Sequence, residues 1–321
     1  MKTLVVVFSL ATALPSVFAD ASLQERTQVH FNGAIGSIIN VFGRSATHEG
    51  VVSDVYIHTN RRLRRNGDTG ELVDLDQEKI YYINYARKSY RVKTFDELRR
   101  EYEDSKQRAE SRESKSTKND ESKNNGPEYE VEFAVKPTGN KETINGWPTR
   151  EEIITVTVHE KGKTLEEAGG FVLTDDAWIG PHVAARREVV DFEMRYMKKL
   201  YGDAYMAGIQ QAMAAMSSTP AFAKAMKTFN AKQGALDGTP IRSKMTFESV
   251  SGKEQSADQQ QQQQQSGGFG GLLGRMRNRN RNQDSGPQRN AMFDSSNELL
   301  KASTSASAED VAVPGDFRLE K

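Results

Sequence analysis

The sequence contains no cysteine. That absence excludes disulfides, thiolate nucleophiles and cysteine-held metals together. Histidine is scarce as well: His30, His48, His58, His159 and His182 are the only five. No two of them stand at a helical ligand spacing, and there is no His-Glu-x-x-His, so no metal, no cofactor and no catalytic residue is expected. Net charge is missing too, because Lys+Arg and Asp+Glu both count 44. The surface as a whole therefore has no field that would steer a polyanion. Glycines at Gly33, Gly36 and Gly43 lack the Lys-Ser/Thr ending of a phosphate loop. Ser217-Ser218 lacks the glycines of a nucleophile elbow. Asp175-Asp176 is read as a turn, since neighbours on a strand point to opposite faces and do not readily share a proton. No acid–base pair or nucleophile stands out, and the expectation is a protein that is not an enzyme.

Long apolar runs are missing except at the start. Met1-Lys2 is followed by "TLVVVFSLATALPSVF", whose end runs into "VFA" at Val17–Ala19. A short positive start, an apolar core too short for a comfortable span and small residues before a cleavage point are the layout of a secretory signal peptide. The expected mature start is Asp20, the expected location periplasmic or secreted, and the protein is not expected to be integral to a membrane. Mean hydropathy is low, −0.69. Two stretches account for much of this. Residues 104–128 mix charges with Ser and Asn and carry no apolar side chain larger than Ala. Residues 252–290 hold a glutamine run and an Arg-Asn alternation. Both are expected to be disordered insertions in one domain spanning 20–321.

Between them the pattern is mostly of period two. "VVSDVYIHT", "KIYYINYARKSYRVKTF", "EYEVEFAV", "REEIITVTVHE", "GGFVLTDDAWIG" and "TPIRSKMTFESVSG" alternate as strands do. Turns are expected at Asn66-Gly67-Asp68, Ala86–Lys88 and Asn145-Gly146. Thr94 with Glu97 makes a capping box that opens a helix. From about Val183 to Lys232 the period becomes helical. Val190, Met194, Met197 and Tyr201 fall at helical spacing, and Met206, Ile209, Met213 and Met216 follow after a break at Gly202. A third helix opens at Pro220, with Phe222, Met226 and Phe229 as its stripe. Strand follows strand with little helix between, so the sheet is expected to be antiparallel and meandering.

The order of "NGDTGELVDLDQEKIYYINYARKSY", "TINGWPTREEIITVTV", "FVLTDDAWIG", a helical segment and a terminal "VPGDFRLEK" resembles the LolA-like superfamily of periplasmic lipoprotein carriers. The resemblance implies an α+β fold: a curved antiparallel β-sheet, an open half-barrel, covered by helices with an apolar cavity between. It also implies a lipid, acyl chain or other hydrophobic ligand as the occupant. Methionine is flexible and polarizable and suits such a lining. The candidate contacts are Met194, Met197, Tyr201, Met206, Ile209, Met213, Met216, Trp147 and Trp178. The same stripe could instead be ordinary core packing. Ile35, Ile38, Ile39 and Phe42 form either a lip of the cavity or a helix tucked onto the sheet. Arg275, Arg277, Arg279 and Arg281 are candidates for contact with an anionic envelope surface. Export argues against nucleic acid. The alternative expectation is an envelope interaction protein with a filled core, docking through this insertion.

Overall fold

In a computed structural model, the described residues are 20–32, 50–116, 128–217, 220–252 and 289–320. The expectations for Ile35, Ile38, Ile39, Phe42, the signal segment and Arg275, Arg277, Arg279 and Arg281 lie outside them. The described chain is α+β. Its centre is an open 12-stranded sheet, β1 Ala21–Phe31, β2 Val51–His58, β3 Arg61–Asn66, β4 Thr69–Asp74, β5 Lys79–Asn84, β6 Ser89–Thr94, β7 Tyr129–Ile144, β8 Trp147–Glu160, β9 Gly169–Gly180, β10 Thr239–Ser251, β11 Arg289–Ser303 and β12 Arg318–Leu319. The helices are α1 Phe95–Ser116, α2 Leu165–Ala168, α3 Ala184–Ser217 and α4 Pro220–Lys232.

The strand order is β12-β6-β5-β4-β3-β2-β1-β11-β10-β9-β8-β7. Two meanders, β1 to β6 and β7 to β11, are therefore joined side by side where β1 pairs with β11. Every ladder is antiparallel except the last, where β12 runs parallel to β6. That short pairing corrects the expectation of a purely antiparallel sheet. The chain returns to the β6 edge after Ser303 and lies beside its free backbone groups, which an antiparallel hairpin could not do from that direction.

Local chemistry explains the joints. Asn145 and Gly146 both have positive φ, 50° and 89°, between Ile144 and Trp147. A two-residue hairpin of this hand asks for left-handed backbone at both positions, which Asn-Gly tolerates best. Thr94 and Glu97 form the expected capping box, with Glu97 N–H donating to Thr94 Oγ1 at 3.2 Å and Thr94 N–H to Glu97 at 2.7 Å. A second box, Thr164 with Glu167, opens α2. Helix α1 continues to Ser116, past the residue 104 at which the disordered stretch is expected to begin. α3 is broken where expected, at Gly202, whose φ of 77° and ψ of 175° are not helical.

The main core sits between one face of the β1 to β6 meander, extended by Ile144, Ile241 and Leu299 of the second meander, and the first half of α3. Leu23, Val55, Ile57, Val73 and Ile80 meet Val189, Phe192 and Leu200, with Phe95 of α1 completing the set. The buried stripe of α3 is thus Ala185, Val189, Phe192, Tyr196 and Leu200. This corrects the expected stripe: Val190 and Met194 are each 53% exposed. Both stripes have helical spacing, and Phe192 and Leu200 present more apolar area to bury than Val190 and Met194. Arg62 of β3 lies inside this face, 4% exposed. It pairs with Glu71 and Glu193 and lies 5.8 Å from the ring centres of both Phe192 and Tyr196. Burial pushes the Tyr196 phenol well above its ordinary value. A second cluster on the opposite face joins Leu63, Leu72 and Ile83 to Val311, with Tyr81, Tyr85, Tyr90 and Phe317 around it. The terminal segment therefore closes the back of this meander.

Candidate functional site

The other half of the sheet, on the face that continues the α3 side, carries a second apolar zone. Register sets Phe31 opposite Phe293, Phe293 opposite Phe247, Phe247 opposite Leu173, Leu173 opposite Val156, and Val156 opposite Phe133. One apolar row thus crosses β1, β11, β10, β9, β8 and β7. Side chains on directly paired positions lie about 5 Å apart, so each touches the next. The Phe31–Phe293 and Phe293–Phe247 ring centres are 6.1 Å and 5.6 Å apart. Phe171, one step along β9, stacks on Phe247 at 5.6 Å with 8° between the planes. At the far end Phe229 of α4 meets Phe133 edge-on at 5.2 Å.

Polar rows separate this zone from the main core. Asn297 donates to Thr27 at 2.9 Å, and Ser243 donates to Asp175 at 2.6 Å. The row itself is not sealed. Phe31, Phe133, Val156, Leu173, Phe247 and Phe293 are all half-buried, and Phe171 is 44% exposed. By contrast Leu23, Val55 and Ile57 in the core are 3%, 1% and 0% exposed. A contiguous half-open apolar surface of this kind marks a contact site more often than a single exposed side chain does.

The structure scatters the residues expected to line a cavity. Met194 faces solvent, Met197 is half-buried, and Tyr201 packs against the main core and edge-on against Tyr102 at 5.4 Å. Met206, Ile209, Met213 and Met216 lie on the backbone of α3 beyond the Gly202 kink, with their side chains outside the described set. Trp147 packs beside the main core at the β7–β8 turn. Trp178 also packs against the main core, with Arg242 4.9 Å over its ring. Beneath the first half of α3 the space is filled by the core side chains. Asp175 and Asp176 lie within β9, which corrects the turn expected there, and they do point to opposite faces.

Sequence reasoning assigns none of Phe31, Phe133, Val156, Phe171, Leu173, Phe247 and Phe293 to a site, and it places Phe31 and Phe293 in no strand. Phe133 and Phe247 are visible as members of alternating strands. What joins them is cross-strand register, which alternation alone does not supply. Among the described residues no group of three or more His, Asp or Glu could hold a metal. His58 pairs with Asp20 at 3.0 Å and His182 with Asp237 at 3.1 Å. No helix among the described residues is long and apolar enough to cross a membrane. Comparison of the chain with protein-family models, with curated proteins and with solved structures returned no match.

Proposed function

We propose that the protein is exported and binds a hydrophobic ligand, an acyl chain or a lipid, without catalysing its conversion. The single observation behind this reading is the half-open row from Phe31 to Phe133 with Phe171 stacked beside it. It is apolar over six strands and yet only half covered. A ligand that removed on the order of 300 Å² of this surface from water would gain about 7 kcal/mol before the costs of association. The open sheet with helices on one face, the signal-like start and the resemblance to LolA-like carriers all support the same reading. The ligand surface lies beside the filled core, not beneath the first half of α3.

The test uses the full chain, freed of bound lipid and titrated with a fluorescent fatty acid, alongside native mass spectrometry of protein that has not been freed. Saturable binding is expected, and Phe247→Ser combined with Phe293→Ser should weaken it at least tenfold while the far-UV circular dichroism stays unchanged. A chain that carries and takes up no acyl probe, or a double variant that binds as tightly as the parent, would overturn the proposal.

A further inference from the structure

The opposite face of the same strands has a different chemistry. Register places Arg26, Glu298, Arg242, Trp178 and Glu151 in one row across β1, β11, β10, β9 and β8. The adjoining row holds Ser296, Lys244 and Asp176. Together they line a pocket of about 270 Å³. The β7–β8 hairpin curls over it. Glu142 of β7 accepts from Arg242 of β10 at 2.9 Å, and the Asn145 amide donates to Glu298 at 2.8 Å and to the Leu299 carbonyl at 2.9 Å. Strands β7 and β10 are three ladder steps apart, about 14 Å in a flat sheet, so only a curled sheet brings these groups together.

The acids of the pocket are already occupied. Glu142 is taken by Arg242, Glu298 by Asn145, and Glu151 by Asn140 at 2.7 Å. Hydrogen bonds from Thr138 and Asn140 hold Glu151 below the ordinary carboxylate value. Asp176 is the reverse case. Burial, then the neighbouring Glu151, push its carboxyl above the ordinary value. Its Oδ1 is sealed from solvent and meets no donor among the described residues. Protonation of Asp176 lets its O–H donate to Glu151, which is the form that burial and this neighbour favour. Arg26 on β1, opposite Glu298, and Lys244 on β10, between Asp176 and Ser296 of β11, are exposed at the pocket and form no ion pair among the described residues, while Glu298 and Glu151 accept from amides.

We propose that this pocket binds a small organic anion of monosaccharide size, a carboxylate or phosphate ester with a ring-shaped body. Arg26 and Lys244 take the anionic group, with the Ser296 hydroxyl between them, and the ring lodges against Trp178. Guanidinium and ammonium groups on neighbouring strands suit a carboxylate or a phosphate. An aromatic wall with a few convergent polar groups is the usual make-up of a small-molecule site. A ligand held here is distinct from one on the apolar row, because the sheet lies between them, and the proposal does not rest on that reading.

Titration of the full chain with glucuronate, glucose 6-phosphate, glucose and inorganic phosphate tests it, read by tryptophan fluorescence and by saturation-transfer NMR on the ligand. Saturable binding of glucuronate or of glucose 6-phosphate is expected, and whichever binds identifies the anionic group. Glucose and inorganic phosphate should each bind at least tenfold more weakly. Arg26→Gln with Lys244→Gln should cost at least tenfold in affinity. Both side chains are exposed, so the variant should fold, which its circular dichroism checks. Three results overturn the proposal: no saturation by either sugar anion up to about 10 mM, a range that corresponds to only about 3 kcal/mol; inorganic phosphate binding as well as the sugar; or unchanged affinity in the double variant.

Discussion

Arg62 is the place where charge and packing are easiest to separate. Its guanidinium lies inside the apolar face of β3, while both its acids reach water: Glu71 is 40% and Glu193 34% exposed. Its Nε is buried without a hydrogen-bond partner among the described residues. Removing the arginine therefore does not strand a buried carboxylate, the usual reason why breaking a buried pair costs 3–5 kcal/mol. What is lost depends on the replacement. Arg62→Ala removes the aliphatic stem from beneath Phe192 and Tyr196 and leaves a cavity, so a loss of about 2–4 kcal/mol is expected. Arg62→Met keeps the stem, relieves the desolvated guanidinium and gives up two ion pairs to half-exposed partners, for a net change within about 1 kcal/mol. Urea unfolding followed by circular dichroism resolves the two. With a slope of about 2 kcal/mol per M, alanine should lower the midpoint by about 1–2 M and methionine by no more than about 0.5 M. Equal losses for the two variants would refute the reasoning, because they would mean that the ion pairs, not the volume, hold α3 to the sheet.

Two further outcomes follow from single positions. A Cβ at Gly170 would lie 2.0 Å from the Val158 carbonyl oxygen, at a φ of 153°; since the obstacle is ladder backbone, Gly170→Ala should destabilise by at least about 2 kcal/mol in the same urea assay. Asp176 should show an inverted pH dependence. Its carboxyl is raised above the ordinary 3.8 in the folded chain, so the stabilising protonated form is fully present below that value and is lost as pH rises through the folded one. Asp176→Asn stays neutral throughout, and its stability relative to the parent should increase from pH 4 to pH 7. A difference that does not change with pH would refute the upward shift of Asp176.

Much of the fold is legible because short-range chemistry dictates it. Asn145-Gly146, the Thr94–Glu97 box and the Gly202 break each specify a local backbone, and each forms where the residues stand. Other parts are hidden for stated reasons. β3 reads "RRLRRN", and four arginines conceal a strand whose single Leu63 serves the rear cluster while Arg62 lies under α3. β11 begins at Arg289, inside a stretch whose composition argues for disorder, because Met292 and Phe293 are diluted by Asn, Asp and Ser. On α3 two apolar stripes one residue apart share the same period. Choosing between them needs the partner surface, and that surface selected Phe192 and Leu200 over Val190 and Met194.

The two candidate surfaces have the same origin. Successive side chains on a strand point to opposite faces. In β9, Leu173, Asp175 and Ala177 face one way and Asp176 and Trp178 the other; in β10, Phe247 and Met245 oppose Lys244 and Arg242. A one-residue slip of either strand would exchange the two sets, setting charges against the phenylalanine row and aromatic rings among the arginines. Both surfaces are therefore fixed by one register, which Gly170 supports through its close approach to Val158 and which the Asn145-Gly146 turn sets for β7 against β8. Substitutions on opposite faces touch different neighbours. Their effects on ligand binding should add, as independent sites do, so Phe247→Ser and Lys244→Gln, only three residues apart in sequence, should each impair one surface and leave the other intact.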